Sequence, residues 1–331
     1  LNTKQTAANL TLKDQQTLGC NYVHIFSIIF PLIFIVGLGY SCCRLKFFEK
    51  QHIAGLSKFT FYISLPAFLL LNMSQINLQQ SISLFAFLSF YIPVLSVFGV
   101  GILIDRFYLS KKHLKNYQQH GVFGLASSYS NMVLVGIPIV IASLGKEMIA
   151  IAFMIITFHS TLLFALTFLI GAKGSSDKFS WSHFGKSMVL NPIVLSIGCG
   201  LILNILGVTL FTDLANSLEL LAKPAIACAL FVLGANLAFY KIAANWQPAL
   251  IASILKIFLL PALVLLVGTY VFKLDTQILN VLVLLSASPV GVNAYLIASQ
   301  IKQHEATLAG AVVLSTILSV ISFTFWLALL I

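Results

Sequence analysis

Ala126–Gly145, ASSYSNMVLVGIPIVIASLG, is the stretch whose reading decides the fold. It opens with a polar cluster, Ser127, Ser128, Tyr129, Ser130 and Asn131, then turns apolar and is interrupted by Gly136 and Pro138. A helix in a bilayer tolerates such an interruption only where the freed backbone groups face protein or a water-lined cavity. Broken helices of this kind form substrate sites in secondary transporters, where they come in pairs, one per half of the chain. The second stretch to look for is then Ser286–Ser299, SASPVGVNAYLIAS, with Pro289 and Gly291 at its break.

The rest of the chain agrees with a membrane setting. Its 331 residues are 59% hydrophobic and 8% charged, with mean hydropathy +1.00. So little charge excludes a soluble domain and implies a polytopic membrane protein. The net charge of +10 is not a nucleic-acid signal, because the basic residues sit in short loops between apolar spans. The five cysteines show no metal-ligand spacing and read as packing residues. Leu1–Gly19 is polar and lacks the apolar core of a signal peptide.

Ten apolar spans, each near the ~20 residues of a bilayer crossing, are expected at 22–42, 53–73, 83–107, 121–144, 148–171, 190–208, 216–239, 248–271, 277–299 and 306–330. Twelve basic residues follow odd-numbered spans: Arg44, Lys46, Lys50; Arg106, Lys111, Lys112, Lys115; Lys173, Lys178, Lys186; Lys241; and Lys302. Only Lys4, Lys13, Lys146 and Lys273 lie on the other side. The excess of Lys and Arg marks the cytoplasmic side and puts both termini outside.

The halves repeat. Pro31, Gly37 and Gly39 of span one correspond to Pro192, Gly198 and Gly200 of span six, an offset of 161. Pro66 matches Pro224, Ser143 matches Ser299 and Glu147 matches Glu305, at offsets of 158, 156 and 158. Five spans per half is an odd number, so the halves enter the membrane in opposite senses. The expected organisation is a polar segment 1–20, a first five-helix repeat 21–172, a cytoplasmic linker 173–188 and a second repeat 189–331.

The candidate substrate-binding residues follow from the two breaks: Ser130, Asn131, Gly136 and Pro138 in span four, and Ser288, Pro289, Gly291 and Asn293 in span nine. If the breaks, read at Gly136–Pro138 and Pro289–Gly291, cross near the midplane, half-helix N-termini meet there and favour an anion. The Asn side chains supply donors and acceptors. The blander reading is a pair of kinks stabilised by neighbouring helices. His159 and Lys256 are accessory candidates. His159 is otherwise a satisfied core histidine, and Lys256 an intramembrane cation at a depth where ionisable groups are usually functional. Lys58 reads as snorkelling, Glu219 and Lys223 as a helical ion pair, and Asn72, Asn204, Asn236 and Asn280 as hydrogen-bond links between helices. Neither a nucleotide-binding Walker motif nor hydrolase machinery is present, and no Asp or Glu lies at a span centre. No cofactor, metal or enzymatic activity is expected.

Leu65–Ser74 (LPAFLLLNMS), Ser130–Ile139 (SNMVLVGIPI), Asn191–Gly207 (NPIVLSIGCGLILNILG), Pro224–Ala238 (PAIACALFVLGANLA) and Ala287–Ser299 (ASPVGVNAYLIAS) together resemble the auxin efflux carrier family of permeases. The resemblance spans about 22–331. It implies an all-α polytopic fold of ten transmembrane helices in two inverted five-helix repeats. Helices four and nine would cross as broken helices, and helices one, two, six and seven would form a scaffold beside a transport domain. The short loop between spans five and six is that of a bacterial-type permease, placed in the inner (plasma) membrane. The expectation is a secondary transporter moving a small organic anion, a carboxylate, by alternating access. The anion and the lipid bilayer are its partners, a homodimer is admitted, and nucleic acid is not a partner. The alternatives are a sodium-coupled symporter of the related bile-acid transporter fold and a non-transporting membrane receptor.

Overall fold

The computed structural model describes residues 27, 30–75, 83–109, 117–172, 190, 192–239 and 246–330. The polar segment 1–20, the linker 173–188, Cys20 and the basic residues of those segments lie outside the described residues. Among those described, the chain is helical throughout and forms no strand. We number the helices α1 (Phe30–Arg44), α2 (Lys50–Gln75), α3 (Leu84–Leu109), α4 (Tyr117–Ser128), α5 (Met132–Leu144), α6 (Lys146–Gly171), α7 (Pro192–Ile205), α8 (Thr212–Phe239), α9 (Trp246–Val271), α10 (Thr276–Ala287), α11 (Val292–Ile301) and α12 (Glu305–Leu330). Six of them, α2, α3, α6, α8, α9 and α12, are long and apolar enough to cross a membrane. The protein is a polytopic membrane protein. The fourth expected span is divided into α4 and α5, and the ninth into α10 and α11.

Helix lengths recur along the chain. α3 and α9 both have 26 residues, as do α6 and α12, and α4 and α10 both have 12. Packing follows small residues, as it must where lipid tails are as apolar as the side chains and only close contact favours association. Gly234 of α8 lies against the backbone of Val36 in α1, and Gly39 of α1 against the backbone of Phe231 in α8. Gly200 of α7 meets Leu70 and Met73 of α2 in the same manner. A methyl group at Gly39 or Gly234 would overlap main-chain atoms. Elsewhere α3 packs on α4, α4 on α6, α9 on α10 and α12, and α11 on α12. The largest fully buried side chains there include Phe90, Phe98, Phe123 and Phe153.

Three prolines share one local device. Pro66, Pro138 and Pro261 each follow a five-residue π-turn, at Thr60–Ser64, Met132–Gly136 and Leu255–Leu259. In each turn the residue before the proline donates its N–H five residues back, Leu65 to Thr60, Ile137 to Met132 and Leu260 to Leu255. A proline ring normally clashes with the carbonyl four residues earlier. The wider turn moves that carbonyl aside, and the helix continues through the proline. At Pro261 the carbonyl so released, Ile257 O, accepts from Ser322 Oγ (2.8 Å) and Trp326 Nε1 (3.0 Å) of α12.

This device corrects the expected break in the fourth span. The helix is not interrupted at Gly136–Pro138. It ends at Ser128 and restarts at Met132, and Pro138 lies in the opening turn of the α-helical part of α5. Arg44 and Arg106, expected in loops, are also helical: Arg44 ends α1, and Arg106 lies in the last turn of α3. Each guanidinium lies over an aromatic ring of its own helix, Arg44 over Tyr40 and Arg106 over Phe107. Asn204 and Asn280 do link helices, through Met73 O and Ser74 O and through Leu330 O. Asn72 instead bonds within its own helix, to Phe68 O. Glu219 and Lys223 form the expected exposed i,i+4 pair at 3.8 Å.

Candidate functional site

The two interruptions meet. Tyr129–Asn131 and Pro289–Gly291 run antiparallel, with Asn131 N–H donating to Pro289 O (2.8 Å) and Gly291 N–H to Tyr129 O (3.1 Å). These bonds flank a bridge between Ser130 and Val290. In such a pair the amides of the two central residues point outward and need other acceptors. Ser130 N–H donates to His159 Nε2 of α6 (3.0 Å), and Val290 N–H to Ser315 Oγ of α12 (2.9 Å). Each break is thus completed by one side chain from the helix after it.

The sequence sets this up locally. At the ends of α4 and α10, Ser127, Ser128, Ser286 and Ser288 turn their hydroxyls back onto Phe123 O, Gly124 O, Val283 O and Leu284 O. Their polarity is spent inside the half-helices. Pro289 has no N–H to lose at the break. Gly291 leaves room for the Tyr129 ring, which a Cβ there would strike. That ring stacks on His159 and on Phe164, both with centroids 5.0 Å apart. Its hydroxyl pairs with Ser160 Oγ (2.8 Å) and also engages the Asn293 side chain. Gly136 packs against Ser288 and Leu285, joining α5 to the end of α10.

Three buried polar atoms, Ser130 Oγ and Asn131 Nδ2 of the bridge and His159 Nδ1 beside it, have no hydrogen-bond partner among the described residues. Because His159 Nε2 accepts, its ring proton sits on Nδ1, so all three can donate. Each belongs to a residue no more than 6% exposed. Such groups cost about 1–3 kcal/mol each when left unpaired. Two half-helices, α5 and α11, also begin at the bridge and direct their N-termini to it. Lys256 of α9 is fully buried and donates from Nζ to Ser286 O in the last turn of α10.

Every sequence-predicted site residue except Pro138 therefore lies at or against the crossing. A cavity of about 1130 Å³ lies between α1 and α8 on one side and α5 and α12 on the other, and residues 129–131 and 289–291 do not line it. Val135 and Ile139 of α5, Thr316 and Ser319 of α12, and Tyr40 and Arg44 of α1 line it.

Sequence reasoning did not single out Ser315, although the 156-residue offset between Ser143 and Ser299 carries His159 onto it. It also missed a second polar cluster. Asp105 of α3, fully buried, pairs with His120 Nδ1 of α4 (2.7 Å) and with His304 Nε2 beside α12 (3.0 Å). His304 stands 199 residues from Asp105, a separation no local pattern encodes.

A family described as membrane transport protein matches residues 24–327. The chain belongs to that family, the auxin efflux carrier family. The transporter is also similar to a "putative malonate transporter" of Rhizobium meliloti (strain 1021), 23% identical over 310 residues that cover 91% of this chain and 94% of that protein. It is similar again to the uncharacterized transporter YfdV of Escherichia coli (strain K12), 23% identical over 309 residues, 90% of this chain and 95% of the relative.

Proposed function

We propose that the protein is a secondary transporter that carries a small organic anion, a carboxylate, across the bacterial inner membrane by alternating access. The observation that carries this reading is the set of buried donors without a partner among the described residues, on Ser130 and Asn131 of the bridge and on His159 packed against it, together with the N-termini of α5 and α11 that begin there. A carboxylate supplies the acceptors those groups lack, and helix N-termini favour its charge. Asn131 and Asn293 bind it, Ser130 and Ser288 line the site, and Gly136, Pro289 and Gly291 admit the close approach of the two segments. Pro138 serves the site indirectly, by setting the wide turn that starts α5.

The matched helix lengths, the reciprocal glycine contacts of α1 with α8 and α7 with α2, and the twin completion of the bridge by His159 and Ser315 support two inverted five-helix repeats, 21–172 and 189–331. Residues 173–188 join them on the cytoplasmic side, with both termini outside. The cavity between α1 and α8 and the pair α5 and α12 supports movement of the crossing against a scaffold of α1, α2, α7 and α8. Malonate, named for one relative, is the first substrate to try.

The test is uptake into proteoliposomes of a panel of mono- and dicarboxylates, malonate included, by wild type and by Asn131→Ala and Asn293→Ala. Uptake of at least one acid by wild type, lost in both variants, is expected. Uptake of none, or equal uptake by all three proteins, rejects the site.

A further inference from the structure

We infer that Lys256 is the resident cation of the crossing: its ammonium occupies the carbonyl-lined end of α10, where a co-transported metal ion would otherwise sit, and its remaining N–H bonds face the anion. The inference rests on the reading above and adds how charge is balanced there.

A half-helix that stops inside a membrane leaves carbonyls at its C-terminal end, and that end carries partial negative charge. In transporters built on broken helices, such ends and unwound carbonyls are where Na⁺ or H⁺ is held. The C-terminal end of α10 is such a place, and Lys256 Nζ donates into it, to Ser286 O. The side chain is fully buried, and among the described residues no carboxylate pairs with it. Buried intramembrane charges pair with one another or with backbone carbonyls, and Lys256 does the latter.

The π-turn at Leu255–Leu259 holds it there. Pro261 requires that turn, and Ser322 and Trp326 fix it through Ile257 O. An ammonium has three donors, and the structure assigns one. Ser286 is two residues from Ser288, which packs against Gly136. The ammonium thus sits at the end of α10 that packs on α5, the half-helix that Asn131 precedes. Among the described residues, the titratable side chains assembled around the crossing include Tyr91, Tyr129, His159 and Lys256, without any carboxylate. A ligand that completes the set is an anion, and no metal cation is needed to bring it in.

The test uses purified full-length wild type, Lys256→Ala, Lys256→Met and Lys256→Arg, with two readouts. The first is malonate binding and uptake in sodium and in choline buffers. Wild type should be the same in both, and Lys256→Met should bind about 10- to 100-fold more weakly, the range for loss of one charge-assisted hydrogen bond. The second readout needs no substrate. Thermal unfolding of Lys256→Ala should be shifted upward by methylammonium chloride, which fits the vacated seat, while choline chloride should not act and wild type should respond to neither. Lys256→Arg should retain more of the wild-type stability than Lys256→Met.

Sodium-dependent uptake by wild type overturns the inference while leaving the transporter reading intact. So does Lys256→Met binding malonate as wild type does, or Lys256→Ala showing no response to methylammonium. Methylammonium rescue in a protein that takes up no carboxylate upholds the cation seat and rejects the proposed function instead. If Lys256→Ala fails to fold, methylammonium added during its purification takes the place of the thermal test, and failure to recover folded protein counts against the inference.

Discussion

Replacing Ser315 by Ala removes one hydroxyl and nothing else near the crossing. Its Oγ is the acceptor for Val290 N–H at 2.9 Å, and Val290 is fully buried. In Ser315→Ala that amide loses its partner in a place water does not reach, and the folded crossing becomes less stable by about 1–3 kcal/mol. Alanine fills most of the serine volume, so no packing term of similar size competes. The effect is local. The two bonds that flank the bridge, Asn131 to Pro289 and Gly291 to Tyr129, are main-chain and survive. Opening of the bridge should then be about 5- to 150-fold more frequent. Amide hydrogen exchange in nanodiscs, followed on a peptide that spans Val290 and Gly291, reads this directly. Exchange in α2 and α7, which do not touch the bridge, should not change. Unaltered protection at Val290 in Ser315→Ala would refute the idea that the crossing depends on acceptors from α12.

His159→Leu removes the matching acceptor of Ser130 N–H and the ring that stacks on Tyr129, a loss of about 0.5–1.5 kcal/mol for the aromatic pair, but it also removes the unpaired Nδ1 donor, worth about 1–3 kcal/mol, so its destabilisation should not exceed that of Ser315→Ala in parallel unfolding of the two variants. Pro138→Ala should leave substrate affinity within a few-fold of wild type, because the chain break lies at Ser128–Met132; a loss as large as that of Asn131→Ala would return the break to the proline. Gly234→Val should abolish recovery of folded protein in detergent, since its side chain would have to enter the backbone of Val36, whereas Gly198→Ala, with open space around it, should be recovered normally. Asp105→Asn should lower stability by about 1.5–3 kcal/mol, the scale of hydrogen bonds to a charged group, with faster amide exchange at residues 303–308.

Much of this was legible in the sequence because membranes constrain it. Long apolar runs with few charges have one physical solution, and the six long helices appear within a few residues of where hydropathy puts them. The break at Pro289–Gly291 was legible for the same reason, since neither Pro nor Gly sustains a helix inside an apolar span. Pro138 misled because a proline reports that a hydrogen bond is missing, not how the helix responds. Here the π-turn absorbs it, and the polar run Ser127–Asn131 breaks the helix instead. Asn131 and Asn293 could be chosen for their donors and acceptors, but Tyr129 and Ser315 required the register of the bridge. The cluster of Asp105, His120 and His304 was out of reach. It joins three separate turns of chain, and nothing in the spacing of a single Asp and two His says that they meet.

The crossing is closed by main-chain groups, and this separates shape from recognition. Asn131 and Gly291 hold the two segments together through their amides, so the frame would persist if the side chain at 131 were different. Ser130, Asn131 and Asn293 are then free to vary without moving the helices that present them. Under the function proposed above, a protein built this way can change what it carries by a few side-chain exchanges while the same backbone bonds remain. The same property suits it to redesign: new donors, acceptors or charges can be tried at 130, 131 and 293 while the bridge serves as an internal fixed point.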